Sequence, residues 1–405
     1  MRPWWASAVV AVGCAHGDGA TDTDVDTTAD TDPLDTDAAD TDANGPFDAG
    51  VALGNDAIDP EFFADLKMVI WQDPNTSKAW AATVVPESGQ WLPGDGRGLK
   101  LGNAASMSGS ATAPPTYNGP EWGDSGDSIF FTMADADGFN QVARFARGSG
   151  TASLLTGGDQ IHRNGVIPQL HPAGDRAAML FFRGELADLD FAWRWLDDTV
   201  DHPFTGATSA DPTPRWMPGE DAIGVLVADD AGFAQVARYD IHTERTTMLT
   251  TDEGYKSDPF ISDDPAGGRL LTVDVSETVP PQINDLVPTR IAVYREGVDG
   301  WTRQVTFGVE DTLGGGPYAH TSLEPFVYEG QVWVSFVAVP GVSRSTPSQV
   351  YVASIDGSQI IQVTHGTAAR GDPEVLVLDG HALLYYTEHR AGVSARVHVV
   401  RDFMP

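Results

Sequence analysis

The sequence predicts an all-β protein, a β-propeller of seven four-stranded blades, and three observations predict it. First, Pro60, Pro120, Pro168, Pro214, Pro259, Pro325 and Pro373 recur at spacings of 60, 48, 46, 45, 66 and 48 residues. Second, each proline opens the same succession of short turn, apolar strand and further strand. Third, most units close on a hydrophobic-Thr pair: Leu155-Thr156, Phe204-Thr205, Leu249-Thr250, Val305-Thr306 and Val363-Thr364. A strand-only period in the forties is a blade repeat, because one small sheet buries its faces only by stacking on its neighbours. Six blades is the alternative count, since the first unit is the least regular.

The unit at Pro214 shows the elements in order. Met217-Pro218-Gly219-Glu220-Asp221 is a turn, where Pro fixes φ and Gly supplies a positive one. Ile223 to Val227 is an apolar, β-branched strand. Asp229 to Gly232 turns the chain, and Gln235 to Tyr239 and Thr246 to Leu249 are the next strands. MADADGFNQVAR at 133–144 aligns without gaps to VADDAGFAQVAR at 227–238, two repeats away. The unit at Pro259 is lengthened by an insertion from Ser276 to Thr289. The last unit has strands at Ala382–Tyr386 and Arg396–Val400 but no fourth. Phe47 to Leu53 is the free segment that can supply it, closing the ring and removing an exposed edge.

Pro120-Glu121-Trp122 and Pro214-Arg215-Trp216, with the turns His171-Pro172-Ala173-Gly174-Asp175, Ser262-Asp263-Asp264-Pro265 and Leu378-Asp379-Gly380, carry a family likeness. The chain resembles the TolB-like β-propeller repeat, whose blades begin with Pro-x-Trp-Ser-Pro-Asp-Gly. The resemblance spans about residues 57–405. It implies a propeller fold, in a family of scaffolds, partner-binding modules and propellers attached to hydrolases or lyases.

Three regions follow. Residues 1–14 resemble a bacterial signal peptide: Arg2, the apolar run Trp4 to Val12, then Ala11-Val12-Gly13-Cys14, similar to a lipobox. Cys14 is therefore the expected lipidation site. Residues 15–45 form an Asp/Thr-rich tract that cannot bury enough apolar surface to fold and reads as a disordered tether. Residues 46–405 are the propeller. Residues 18–48 hold 11 Asp and no Lys, Arg or Glu, and the formal charge of the whole chain is −34. So acidic a chain repels phosphate backbones, which argues against nucleic-acid partners. Cys14 is the single cysteine, which excludes an internal disulfide, a Cys-based zinc site and a Cys nucleophile in the propeller.

Candidate chemistry is sparse. Ser125 in Gly123-Asp124-Ser125-Gly126-Asp127 resembles a protease nucleophile loop, but it falls on the turn after Pro120. Asp135-Ala136-Asp137-Gly138 resembles the start of a calcium loop, yet its counterpart Asp229-Asp230-Ala231-Gly232 marks it as a blade turn. The residues before the prolines are more suggestive. Asp59, Asp258, Glu324 and Asp372 belong to neighbouring blades and are expected along one arc of the channel mouth. Like charges that close raise one another's pKa unless a cation intervenes, so calcium or an amine is the ligand this arc suits. His320 and Arg370 are expected in adjoining loops.

Propeller connections alternate between two faces. The long ones (Gly102–Gly119, Ser276–Thr289, Phe307–Glu324 and Pro340–Ser348) all fall on one face, with Tyr117, Tyr318, His320 and Arg344 in them. Long loops on a rigid scaffold are where binding usually resides. Together with Arg370 these are the candidate binding residues. The reading is a secreted, monomeric lipoprotein of the outer membrane or cell envelope. It touches the membrane only through its anchor and binds an envelope protein or glycan through the long-loop face. The alternative is a propeller-type hydrolase or polysaccharide lyase, with His320, Arg370, Asp258 and Glu324 at the channel mouth. A structural envelope protein is a third reading.

Overall fold

The computed structural model describes residues 51–73, 76–92, 99–105, 118–185, 188–204, 214–280, 285–343, 346–389 and 396–404. Cys14, the acidic tract, Phe47, Tyr117 and Arg344 lie outside them.

Seven antiparallel sheets form the blades of a propeller. Their inner strands are Ile58–Phe63, Glu121–Trp122, His162–Pro168, Arg215–Trp216, Tyr255–Asp263, Tyr318–Tyr328 and Ala369–Leu378. We number the blades 1 to 7 in that order. Blade 1 carries an extra strand, Leu99–Asn103, which pairs with Lys78–Val84 beside Trp91–Leu92. This accounts for the irregularity of the first unit. Blade 7 takes its outer strand from the other end of the chain: Val51–Asp56 pairs antiparallel with Arg396–Arg401, Val51 opposite Val399. The closing segment expected at Phe47 to Leu53 thus overlaps the observed strand.

The core is a ring of interfaces rather than one interior. Seven large buried clusters each join two neighbouring blades, one at every junction. At the closing junction Trp71, Val84 and Trp91 of blade 1 pack on Leu376, Tyr385 and Val399 of blade 7. There Phe62 stacks on Tyr385 with ring centroids 4.3 Å apart. Strand alternation sends every second side chain to each sheet face, so blades with apolar residues on both faces adhere on both sides.

The blade turns behave as the repeat demands. The Asp135 carboxylate accepts from the N–H groups of Asp137 and Phe139, and the Asp229 carboxylate accepts from those of Ala231 and Phe233. Both are Asx-type turns that consume the carboxylate locally. Ser125 sits in the short turn Asp124–Gly126, its hydroxyl 3.4 Å from Asp127.

Candidate functional site

The channel is built from the inner strands, and their register differs from the proline ladder. In blade 1, Ile58 lies opposite Gln72 and Glu61 opposite Ile70, so Asp59-Pro60 is a two-residue bulge facing one partner residue. Asp258-Pro259 in blade 5 and Asp372-Pro373 in blade 7 repeat it. In blade 6 the bulge is Ser322-Leu323, and in blade 3 it is Gly165-Val166. Each bulge opens on a positive φ: Asp59 +52°, Gly165 +58°, Asp258 +50°, Ser322 +53° and Asp372 +55°. Asp and Gly are among the residues that tolerate this region best. Pro168 and Pro325 therefore stand two residues further along than Pro60, Pro259 and Pro373. Prolines are tolerated at both places because an inner strand is a sheet edge with half its N–H groups unpaired.

This register corrects the acidic arc. Glu324 is equivalent to Glu61, not to Asp59. The bulge aspartates are spent on the next blade. Asp59 accepts from the N–H of Gly119, Asp258 from that of Leu323 at 3.0 Å, and Asp372 from that of Asp59. They staple blade 1 to 2, 5 to 6 and 7 to 1. The inner strands of blades 5, 6 and 7 begin at Tyr255, Tyr318 and Ala369, before these acids, whereas that of blade 1 begins at Ile58, directly before Asp59. Among the described residues, no group of three or more His, Asp or Glu is arranged to hold a metal ion. Asp59, Asp258 and Asp372 share the first bulge position, and Glu324 occupies the position after the bulge.

The residue after each bulge, with its counterparts Glu121 and Arg215 in blades 2 and 4, forms a second ring, of which the sequence reading found only Glu324. Around blades 1 to 7 it comprises Glu61, Glu121, Ile167, Arg215, Phe260, Glu324 and Glu374. Glu61 and Glu374 stand two positions on from Asp59 and Asp372, across the bulge. Four glutamates fill the contiguous blades 6, 7, 1 and 2. Arg215 faces them, its guanidinium 3.7 Å from the Phe260 ring centre and 3.6 Å from the Glu324 carboxylate. These side chains are half-buried, but a channel walled by protein solvates charge poorly. Burial pushes the Glu121 carboxyl up to about 8, with Asp59 adding to the effect and Asn118 and Arg215 opposing it. Burial pushes Asp372 up to about 7, and the Asp59 charge adds to it. Glu61, Glu324 and Glu374 are raised well above the usual carboxylate range, first by burial and then by neighbouring acids. Glu121 therefore keeps its proton at neutral pH.

His320 and Arg370 lie in strands, not in loops, and both are buried. They occupy one repeated position, two residues before the bulge, with Arg163 of blade 3 and Lys256 of blade 5. His320 Nδ1 donates to the Thr289 carbonyl at 2.7 Å, and its Nε2 accepts from the Val309 N–H at 3.3 Å. Burial drives its pKa down to about 4, so the ring is neutral. Arg370 donates to Gln349 Oε1 at 2.9 Å and pairs with buried Glu388 at 3.2 Å.

Arg370 is part of a clamp repeated three times. Thr364 donates to Gln349 Oε1 and accepts from the Val350 N–H. Thr156 does the same with Gln141 and Val142, and Thr250 with Gln235 and Val236. Arg163 and Arg370 then bind the glutamine oxygen of the preceding blade at 3.2 and 2.9 Å. Lys256 instead donates to the carbonyls of Asp252, Glu253 and Gly254. The Pro-x-Trp tryptophans also reach back a blade: Trp122 Nε1 donates to the Glu61 carbonyl and Trp216 Nε1 to that of Ile167.

The long-loop face holds a cavity of about 1040 Å³ across blades 4, 5 and 6. Its walls are the turn around Asp229, the blade junction Thr251–Gly254, the insertion flanks Val275–Thr278 and Pro288–Arg290, and the segment Gly315–Tyr318. Tyr318 lines it, half-buried. A smaller cavity of about 310 Å³ opens at the opposite end of the channel, between Glu61, Phe62, Phe326 and Glu374.

By sequence, no family model and no curated protein matches the chain. Solved structures do. An acylaminoacyl peptidase aligns with a TM-score of 0.50 at 11% identity, covering 85% of this chain and 51% of its own. A prolyl endopeptidase aligns with a TM-score of 0.47 at 13% identity, over 83% of this chain and 47% of its own. A TolB protein from Agrobacterium tumefaciens aligns with a TM-score of 0.41 at 14% identity, over 71% of this chain and 90% of its own. The chain spans about half the length of those two peptidases. What it is similar to is the propeller fold that these proteins contain.

Proposed function

We propose that this chain is a binding propeller whose working surface is the long-loop face, centred on the cavity across blades 4, 5 and 6. The observation that carries the reading is that cavity of about 1040 Å³, walled by connections from three blades on the face that collects the long loops. Large concave sites on rigid scaffolds are the default place for a ligand. A hydrolase or lyase working through His320 and Arg370 gains no support, because both side chains are committed to blade contacts. Our reading includes presentation at the cell envelope by acylation of Cys14. The test is hydrogen exchange on ligands taken from a thermal-shift screen of peptides and oligosaccharides. Protection should map to residues 251–254, 275–278 and 315–318; protection confined to the opposite face would overturn the reading.

A further inference from the structure

We infer that the cavity takes a basic peptide segment, holding Lys or Arg side chains of an extended chain. This rests on the binding reading above and names the ligand class. Two arginines line the cavity and both are already used: Arg303 pairs with Asp252, and Arg290 with Asp311 and Glu310. Glu253 and Glu277 also line it, exposed, with no ion-pair partner among the described residues. The walls thus present uncompensated negative charge to solvent, on a chain of net charge −34 that steers cationic partners toward it.

Charge alone would suit any cation; three further features suit a peptide. Half-buried Phe233 and Tyr318 line the cavity, and aromatic side chains suit the aliphatic stems and cationic heads of Lys and Arg. Gly315 and Gly316 give one wall a stretch of backbone without side chains, and a Cβ placed on Gly316 meets nothing within 4 Å. Bare backbone leaves N–H and C=O groups open to an extended chain. The volume also stands at the top of the range of roughly 300–1000 Å³ typical of small-molecule sites.

The experiment uses the full chain with fluorescein-labelled hexalysine, and hexaglutamate as the opposite-charge probe, read by anisotropy at 150 mM salt (about physiological ionic strength). Hexalysine should bind and hexaglutamate should not. Glu253→Lys/Glu277→Lys should weaken hexalysine at least ~10-fold, since each reversal removes an attraction and adds a repulsion. The exposure of both residues predicts an unchanged melting temperature. Asp263→Lys/Asp299→Lys makes the same charge change at an exposed strand end and an exposed turn on the opposite face and should leave the affinity within about 2-fold, given the screening length. Equal weakening by the two double variants would mean bulk attraction and overturn the proposal, as would undiminished binding to the first. If neutral or acidic peptides protect the cavity in the exchange experiment while hexalysine fails to bind, the basic-peptide assignment falls and the binding site stands.

Discussion

Asp59 shows how little room the channel leaves at single residues. Its carboxylate accepts from the Gly119 N–H, and a Cβ at Gly119 would lie 2.7 Å from its Oδ2. Gly119→Ala should therefore destabilise the protein by about 1–3 kcal/mol, as overpacking does. Asp59→Ala in the same chain should relieve part of that loss, a non-additivity that urea unfolding of the four-member cycle measures. Strict additivity would show that the two residues do not meet. Glu121 gives a pH signature. Folded, it keeps its proton up to about pH 8, against a usual value of 4.5. The stability it contributes is therefore complete at low pH and is lost as pH rises from about 4.5 to about 8. Glu121→Gln imitates the protonated acid and can keep the Asn118 contact. It should match the wild-type melting temperature at low pH and exceed it by about 2 °C above the folded pKa. The same difference at both extremes would mean that Glu121 is not protonated in the folded state.

At the scale of elements, the hydrophobic-Thr endings acquire a cause. Thr250 satisfies the buried N–H of Val236 and the side-chain oxygen of Gln235, and Thr156 and Thr364 do the same in blades 2 and 6. Thr250→Val keeps the shape and orphans both partners, so it should cost about 1–3 kcal/mol in urea unfolding, while Thr250→Ser should cost much less. If both variants cost the same, methyl packing rather than the hydroxyl sets the conservation of pattern among blades. The closing strand is the other element with a clear consequence. Deleting residues 1–56 removes Val51–Asp56 and exposes the edge of Arg396–Arg401. The truncated chain should melt earlier and self-associate in size-exclusion chromatography, as unpaired edges do. A monomer of unchanged stability would show that blade 7 holds with three strands.

For the whole molecule, the expected envelope anchoring is tested by metabolic labelling with a palmitate analogue. Label should appear on the native chain and vanish in Cys14→Ala; label retained in the variant would place acylation elsewhere, and no label on the native chain would overturn the anchoring. The closed ring also explains the order in which features became legible. Blade count, turn chemistry and the Thr endings were readable, because each depends on residues close in sequence and recurs with the repeat; the closing strand was readable because the last unit lacked a fourth strand and one free segment could supply it. Ser125 and Asp135 were recognisable as turn residues for the same reason.

The functional residues were less legible because their roles depend on neighbouring blades. One bulge of two residues shifts Glu324 from the position of Asp59 to that of Glu61, and no composition or spacing signals which proline carries the bulge. His320 and Arg370 read as candidate ligands because a lone His or Arg looks free until the carbonyl, amide or carboxylate that binds it comes from a segment some 20 or 30 residues away. By itself the sequence determined an all-β propeller with its long loops on one face, since strand period and turn residues are local properties. Only the tertiary structure decided that the bulge acids staple blades, that Arg215 faces four glutamates, and that a large cavity lies across blades 4 to 6. Those outcomes are set by which strand edges meet when the ring closes.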